Sequence, residues 1–411
     1  MGIKDAIRQQ VMSGMDMTEK MEDGEVERLI DSCILEEGKR TYIPLKEKVS
    51  IKNELFNSLR RWDILTEYIQ DEDITEIMVN GCNNIFVERQ GHIYKTASHF
   101  ESEEKLNSII QQMVADCNRR INDREPIVDA RLKDGTRVNI VVPPVALDGA
   151  TLTLRRFPKE KIDMKRLQEL CSIDSTLSKL MELLVRSRYN IFISGGTGSG
   201  KTTFLNALSD FIPSEERIIT IEDSAELQLH NLPNLVRLEA RTENLEGKNA
   251  ISIRDLIKTS LRMRPDRIIV GEVRDAAAID MLAAMNTGHD GSISTGHSNS
   301  ARDMLSRLET MVLTGVDIPL KAVKQQIASG VDIIVHLGRL RDGSRKVLSV
   351  NEVIGMKEND IEISTLFEFV ETESINGRIC GRFTKINDLM HIDKLAAWGM
   401  LEIYKEVING A

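Results

Sequence analysis

The spacing of hydrophobic residues changes along the chain. In residues 1–70 apolar positions recur every three or four residues, which predicts a helical N-terminal extension with helices over 25–37 and 52–69. From 71 to 154 short apolar runs alternate with turn residues, and one stretch over 103–117 has helical spacing. The second region is therefore predicted to be a small α+β domain.

The remainder of the chain, residues 167–411, has the pattern of an α/β domain. Short apolar runs alternate with longer runs of helical spacing, which predicts a mainly parallel sheet. The predicted strands are 191–194, 218–221, 268–270, 291–295 and 333–337. The predicted helices are 201–211, 253–263, 276–285, 301–313 and 320–329. Later apolar runs over 347–353 and 361–370 predict an antiparallel appendage, and a final helix is expected over 394–407.

Residues 155–166 separate the two patterned regions. They carry Pro158 and six basic residues, a composition typical of a linker. The alternative for these charges is a solvated connector with no further role.

Composition narrows the possible functions. The chain has 54 Lys and Arg against 64 Asp and Glu, and aromatic residues make up only 4%. A dedicated nucleic-acid-binding protein needs a basic face and often stacking aromatics, so no nucleic-acid partner is expected. The five cysteines form no C-x-x-C pair, which argues against a zinc module and favours a reducing, cytoplasmic location. No apolar run is long enough to span a bilayer, so any membrane association is expected to go through a partner.

The clearest chemical signal is a phosphate-binding loop of the form G-x-x-x-x-G-K-[ST]. It occupies residues 195–202, between a predicted buried strand and a predicted helix. Glycines allow backbone N–H groups to approach phosphates, the lysine supplies a charge, and the threonine hydroxyl contacts Mg²⁺. We expect ATP to be bound by Gly196, Thr197, Gly198, Ser199, Gly200, Lys201, Thr202 and Thr203.

Two other predicted strands end in carboxylates. Glu222 and Asp223 follow the strand over 218–221, and Glu272 follows the strand over 268–270. Ligands of open α/β sheets bind at the carboxyl ends of the strands, so we expect both glutamates at the nucleotide. Glu272 is predicted to lie near Mg²⁺ or its water, and the alternative for a single carboxylate at a strand end is a helix cap.

Two histidines flank the predicted strand over 291–295. His297 lies at its carboxyl end beside Ser298 and Asn299, where it is placed to sense a γ-phosphate. His289 precedes the same strand, and a structural role is as compatible with its position as a functional one. We therefore count His297 among the candidate catalytic residues.

Further segments accompany the phosphate-binding loop in a fixed order. They are 76–81 (EIMVNG), 134–139 (DGTRVN), 154–157 (LRRF), 220–227 (TIEDSAEL), 261–267 (LRMRPDR), 271–274 (GEVR) and 285–299 (MNTGHDGSISTGHSN). With these segments the chain resembles ATPases of the type II and type IV secretion superfamily, which includes the GspE and PilT relatives and the VirB-type traffic ATPases. Within that superfamily it is most similar to the CpaF/TadA branch, which powers assembly of Tad (Flp) pili.

The resemblance implies a RecA-like P-loop ATPase domain and a smaller N-terminal α+β domain that closes over the nucleotide. It also implies a homo-hexameric ring with ATP between protomers and inner-membrane platform proteins as partners, at the cytoplasmic face of the membrane. Arg137, Arg155 and Arg156 match positions that approach the nucleotide from the N-terminal domain or linker, although a solvated strand edge is the alternative. Arg264, Arg267 and Arg274 are instead expected to tie the catalytic domain to its neighbours by ion pairs.

The implied chemistry is phosphoryl transfer to water, which depends on positioning and charge neutralisation. Lys201 and Mg²⁺ would spread the developing charge, and Arg155 would act as a catalytic arginine from another domain or subunit. One of Glu222 and Glu272 would orient the attacking water while the other shapes the metal shell, and we predict Glu222 as the base. The open alternatives are a nucleic-acid translocase of the P-loop ring type, a VirB-type traffic ATPase and a nucleotide-binding scaffold without hydrolysis.

Overall fold

The computed structural model describes residues 2–15, 21–89, 91–156, 162–241, 250–375 and 377–409. The chain forms two compact units, residues 1–160 and 161–411, and their boundary falls inside the predicted linker. Residues 157–161 of that linker lie outside the described residues.

The first unit begins with the helices α1 (Ile3–Gly14), α2 (Asp23–Gly38), α3 (Leu45–Arg60) and α4 (Leu65–Gln70). Ile7, Ile30 and Leu55 bring α1, α2 and α3 into one small core. The predicted single helix over 52–69 is wrong, because the chain leaves the helical conformation after Arg60 and Asp63 has a positive φ of 52°. The helix also begins earlier than predicted, immediately after Pro44.

The rest of the first unit is a six-stranded antiparallel sheet with one long helix, in agreement with the predicted α+β pattern. Its strands are β1 (Ile74–Asn80), β2 (Ile85–Arg89), β3 (His92–Lys95), β4 (Ile127–Arg131), β5 (Arg137–Val141) and β6 (Thr151–Arg155), in the order β3-β2-β1-β6-β5-β4. Helix α5 (Glu103–Asp116) buries Leu106, Ile110 and Met113 against the sheet. Arg155, which was predicted to begin the linker, therefore ends a strand.

The second unit is built on a nine-stranded sheet. Its strands are β7 (Ile191–Gly195), β8 (Ile218–Glu222), β9 (Leu235–Glu239), β10 (Arg267–Val270), β11 (Ile293–Gly296), β12 (Ile333–Arg339), β13 (Arg345–Lys357), β14 (Asp360–Ile375) and β15 (Arg378–Lys385). The order is β15-β14-β13-β12-β7-β11-β10-β8-β9, parallel from β12 to β9 and antiparallel from β12 to β15. The predicted parallel sheet and antiparallel appendage are both present.

Helices cover both faces of this sheet and form two hydrophobic cores. One core involves α6 (Met164–Glu169), α7 (Ser175–Arg186), α8 (Lys201–Ser209), α13 (Asp393–Ala397) and α14 (Leu401–Asn409). The other involves α9 (Ile253–Ser260), α10 (Ala277–Asn286), α11 (Ala301–Gly315) and α12 (Leu320–Gly330). Within the described residues, no helix combines the length and the apolar character needed to cross a bilayer.

Several elements differ from the sequence-based expectation. Strands β9 and β15 and helices α6 and α7 were not predicted, and α6 begins inside the predicted linker. The predicted final helix is interrupted at Gly399, whose φ of 68° is outside the helical range.

A buried ion pair anchors β10 within the sheet. The guanidinium of Arg267 is fully buried and donates to Glu216 through Nε (2.6 Å) and Nη2 (3.0 Å), and to the carbonyl of Val185 (2.7 Å). The expectation that Arg267 forms ion pairs with neighbouring domains is therefore wrong, because its partners lie inside its own unit. Loss of Glu216 would leave the fully buried guanidinium of Arg267 without a carboxylate partner, so this pair constrains where β10 and the residues after it can lie.

Candidate nucleotide site

Four neighbouring parallel strands end at one edge of the sheet and bring most of the predicted site together. Gly196 and Thr197 follow β7, Glu222 ends β8, Glu272 lies two residues after β10, and His297 follows β11. The strands are level at this edge, since Ser194 pairs with Gly296 and Val270 pairs with both Ser294 and Ile221. Residues far apart in sequence are therefore collected into one cluster.

Three glycines of the phosphate-binding loop have positive φ angles, which residues with a Cβ rarely adopt. Gly195, Gly198 and Gly200 have φ of 153°, 71° and 95°, and a Cβ at Gly195 would lie 2.4 Å from the carbonyl oxygen of Leu337. Helix α8 begins at Lys201, within the last two residues of the loop, so the N–H groups of its first turn lie at the loop. The loop and the helix together form the cradle expected for nucleotide phosphates.

Lys201 is nearly buried and makes contacts within the site. Its Nζ donates to the carbonyls of Gly195 (3.0 Å) and Gly196 (2.9 Å) and lies 3.3 Å from Nδ1 of His297. Burial lowers the pKa of the lysine, while the charge of Glu272 opposes that effect. The ammonium group is thus held at the loop by neutral oxygens that a phosphate could replace.

His297 connects Lys201 to Glu272. Its Nδ1 faces the lysine and its Nε2 lies 3.0 Å from Oε1 of Glu272, whose Oε2 accepts from Arg274 (2.7 Å). Burial, together with the charge of Lys201, lowers the pKa of His297, which favours a neutral ring. A neutral ring that accepts at Nδ1 carries its proton at Nε2, toward Glu272.

Glu222 lies in the most buried part of the cluster, with only 3% of its surface exposed. Oε2 accepts the backbone N–H groups of Glu226 (2.6 Å) and Leu227 (2.8 Å). Oε1 is buried without a hydrogen-bond partner among the described residues. Burial raises the pKa of this carboxyl to about 7 despite the two N–H donors, which brings it to the range expected of a general base.

Gly271 allows the two glutamates to lie close together. A Cβ at this position would come within 2.9 Å of Cγ of Glu222. Any larger residue before Glu272 would displace the side chain of Glu222 from the end of β8. The glycine in the segment 271–274 therefore has a packing role in the site.

The two residues predicted to hold Mg²⁺ suit a site in which the protein supplies only a few of the ligands of the ion. The described residues contain no group of three or more His, Cys, Asp or Glu side chains that could hold a metal by themselves. Mg²⁺ in nucleotide sites is typically bound by one or two protein groups together with phosphates and water. Thr202 in the first turn of α8 and Glu272, whose Oε1 has no aligned hydrogen bond among the described residues, provide such a set.

The three predicted arginines of the first unit have different surroundings. Arg137 on β5 pairs in register with Arg155 on β6, and Arg155 is exposed. Arg156 donates through Nη1 to the carbonyls of Asp71 and Ile74, so it is bound within its own unit. Their expected approach to the nucleotide stays a prediction.

His289 lies away from the cluster. It precedes β11 whereas His297 follows it, so the length of that strand separates the two histidines, about 3.3 Å per residue. The structure therefore favours the structural interpretation of His289.

A cleft of about 540 Å³ opens beside the loop and includes residues that the sequence patterns did not identify. One wall is formed by Gly196, Thr197 and His297. The opposite wall is one face of α11, with Asp303, Ser306, Arg307 and Thr310. These four residues are spaced at i, i+3, i+4 and i+7, so the sequence could have indicated that they share one face of a helix. It could not have indicated that this face lines a cleft. Arg345 also reaches the loop, from a strand that no motif marked.

Comparison with known proteins identifies the family. The family model described as "Type II/IV secretion system protein" matches residues 60–398. The chain belongs to this family. A putative conjugal transfer protein of Mycobacterium tuberculosis (strain H37Rv) is 33% identical over 311 residues, which cover 74% of this chain and 87% of the relative. The type IV secretion system protein PtlH of Bordetella pertussis is 32% identical over 299 residues, or 67% and 88% of the two chains.

A solved structure supports the fold of this secretion-family protein. The crystal structure of the pilus retraction motor PilT with bound ADP has a TM-score of 0.55 at 20% identity, and covers 85% of this chain and 89% of PilT. The likeness confirms the predicted RecA-like P-loop fold. The more specific prediction, membership of the CpaF/TadA branch, goes beyond these comparisons.

The raised pKa of Glu222 predicts a stability effect that depends on pH. The pKa of Glu222 in the folded protein, about 7, lies above the ordinary value of 4.5, so protonation of this carboxyl stabilises the folded state. This stabilisation is complete below about pH 4.5 and is lost as the pH rises through 7. The variant Glu222→Gln, which cannot ionise, should therefore gain stability relative to the wild type on going from pH 4.5 to 8. The gain is on the order of 3 kcal/mol.

Thermal unfolding of both proteins at several pH values checks this expectation. Glu215→Gln, at an exposed position in the same unit, is the matched control and should show no such trend. A constant difference between wild type and Glu222→Gln at all pH values would contradict the assignment of a buried, proton-binding carboxyl.

Proposed function

We propose that this chain is an ATP-hydrolysing motor that powers assembly of a Tad/Flp-type pilus or related protein secretion across the cytoplasmic membrane. The observation that carries hydrolysis is the contact chain from Lys201 through His297 to Glu272, placed against a phosphate-binding loop. Membership of the secretion family supports the role in transport. The choice of a Tad/Flp pilus rests on the order and composition of the motif segments.

Each group in the site has a role that follows from its surroundings. The loop amides and Lys201 bind the phosphates, and Lys201 exchanges its carbonyl partners for phosphate oxygens of higher negative charge. Thr202 and Glu272 would hold Mg²⁺, which supplies neutralisation of phosphate charge when bound. His297 is placed between the lysine and Glu272, so it can respond to a change at either one.

Glu222 is the stronger candidate for the general base. Its pKa of about 7 allows the carboxylate to form and to accept a proton near neutral pH, and Oε1 has no hydrogen-bond partner among the described residues. Glu272, by contrast, is bonded to Arg274 and lies beside His297, which suits a residue that shapes the metal shell.

A second candidate function is export by a type IV secretion or conjugation machine. The relatives named as a conjugal transfer protein and as PtlH favour it. The same motor chemistry would serve either machine, with inner-membrane platform proteins as partners of a chain at the cytoplasmic face. A nucleic-acid translocase is less favoured, since acidic residues outnumber basic ones.

Lys201→Ala tests the assignment of hydrolysis. Loss of the phosphate-binding charge should reduce phosphate release from Mg²⁺-ATP to background, a loss of at least about a hundredfold. Lys405→Ala is the matched control, since Lys405 forms a surface pair with Glu402 and should release phosphate at the wild-type rate. Phosphate release by Lys201→Ala at the wild-type rate would contradict the assignment of ATP hydrolysis to this site.

The same variant in a host strain distinguishes the two candidate functions. Lys201→Ala should abolish surface pili if the chain powers pilus assembly. Intact pili together with a loss of protein or DNA export would favour the second candidate.

Separate roles for the two glutamates can be measured. Glu222→Gln should lose turnover and keep its Mg²⁺ requirement, because the proton acceptor is removed while the metal ligand stays. Glu272→Gln should need a higher Mg²⁺ concentration for half-maximal activity, and wild-type turnover should rise with pH through about 7. Phosphate release measured against pH and Mg²⁺ checks this. If Glu222→Gln instead needs a higher Mg²⁺ concentration for half-maximal activity, Glu222 is the metal ligand and Glu272 the general base.

We further propose a homo-hexamer in which Arg155 completes a neighbouring site. Arg155 is exposed on β6, whereas Arg156 is occupied by backbone carbonyls, which favours Arg155 over Arg156 as the arginine that approaches a nucleotide. Arg155→Ala should reduce turnover about a thousandfold, as expected of a catalytic arginine, without loss of assembly. Light scattering with and without a non-hydrolysable ATP analogue measures the oligomer. A monomer in both conditions, or full activity of Arg155→Ala, would overturn this proposal.

A further inference from the structure

The side chain of Arg345 contacts the phosphate-binding loop from the antiparallel appendage. Its Nε donates to the carbonyl of Gly198 at 2.8 Å, and its Cδ lies 3.4 Å from the position of a Cβ on Gly200. Arg345 is the first residue of β13 and is separated from the loop by more than a hundred residues of sequence. The contact therefore exists only because the appendage packs beside the loop.

The strand pairing explains how the arginine arrives there. Leu337 on β12 pairs with Gly195, the residue that ends β7 and begins the loop. Beyond Leu337 the chain turns, and Arg345 returns opposite Arg339. The first residue of β13 is therefore brought back alongside the loop.

The turn that carries Arg345 is strongly held. Asp342 accepts the N–H (2.9 Å) and the hydroxyl (2.7 Å) of Ser344 and the N–H of Ile379 (2.7 Å). The N–H of Ile379 and the hydroxyl of Ser344 lower the pKa of Asp342 to about 2, so it stays ionised near neutral pH. On the other side, Lys346 donates to the carbonyl of Cys171 (2.8 Å). Arg345 thus projects from a rigid support.

The bond to Gly198 orients one peptide group of the loop. In a planar trans peptide the carbonyl and the following N–H point in opposite directions, so holding the oxygen of Gly198 toward Arg345 turns the N–H of Ser199 away from it. That N–H donates to the carbonyl of Gly196 across the loop, at 3.3 Å. A glycine at 198 leaves the peptide free to rotate unless something holds it.

We propose that Arg345 is a positioning residue of the nucleotide site, which holds the peptide between Gly198 and Ser199 with its N–H turned into the loop, ready for a phosphate. The inference rests on the proposed nucleotide binding and extends it by linking the appendage to the loop. Arg345 acts on ground-state binding through the loop, so its loss affects affinity more than the chemical step.

Titration with the fluorescent nucleotide mant-ADP in the presence of Mg²⁺ tests the proposal. Arg345→Ala should bind mant-ADP about tenfold more weakly and raise the KM for ATP by a similar factor, with kcat within about twofold of wild type. Arg345→Lys, which keeps a cationic donor, should recover part of the affinity. Arg341→Ala is the matched control, because Arg341 lies in the same turn but pairs with Glu371.

Hydrogen exchange of the peptide that contains Ser199, measured without nucleotide, provides a second readout. Exchange should be faster in Arg345→Ala than in wild type and unchanged in Arg341→Ala. Equal mant-ADP affinity and equal exchange in wild type and Arg345→Ala would overturn the proposal, as would a loss of kcat with unchanged KM. If the wild type binds mant-ADP but does not hydrolyse ATP, the proposed function fails while the affinity and exchange measurements still decide the role of Arg345.

Discussion

The alignment of the buried parallel strands is the constraint on which the site depends. Strands β7, β8, β10 and β11 end level with one another, and each is followed or terminated by a residue of the predicted nucleotide site. A shift of one residue in any strand would turn its side chains to the opposite face and move its terminal residue out of the cluster. The buried pair of Arg267 and Glu216 at the start of β10 opposes such a shift, because it cannot be broken without exposing a charge to the protein interior.

The site is also a balance between burial and charge. Lys201 and Glu222 lie where water cannot solvate them well, and burial shifts the pKa of both toward the neutral form. Each is partly compensated by backbone groups, carbonyls for the lysine and N–H groups for the glutamate. Phosphates and a metal ion would supply stronger partners than these dipoles. This arrangement is consistent with the proposed nucleotide binding, in which charged groups would replace dipoles as partners of Lys201.

The loop is supported from more than one direction. The loop is joined to the end of β7 on one side and to the start of α8 on the other. Arg345 of the appendage contacts the peptide that follows Gly198. The second wall of the cleft comes from α11, which follows His297 directly in sequence. The appendage therefore contacts the loop directly, and α11 faces the loop across the cleft. In the proposed motor, these are the elements that a change at the loop would reach first.

The sequence by itself determined the fold class and the central residues of the site. Short apolar runs and runs of helical spacing are local signals, so they predicted the parallel sheet and the appendage, and a local glycine-rich motif predicted the loop. A carboxylate placed after a buried strand could be assigned to the carboxyl edge of the sheet. Boundaries were less well predicted where local signals were weak: the break after Arg60, the interruption at Gly399 and the partly exposed strand β9 depend on packing.

Only the tertiary structure decided which groups touch. It placed Arg267 inside its own unit, separated His289 from His297, bonded Arg156 to backbone carbonyls and brought Arg345 to the loop. It also decided that Glu222 is buried deeply enough to raise its pKa. The physical reason is that hydrogen bonds, ion pairs and desolvation depend on distances between residues remote in sequence, whereas periodicity and motifs report only on neighbours along the chain.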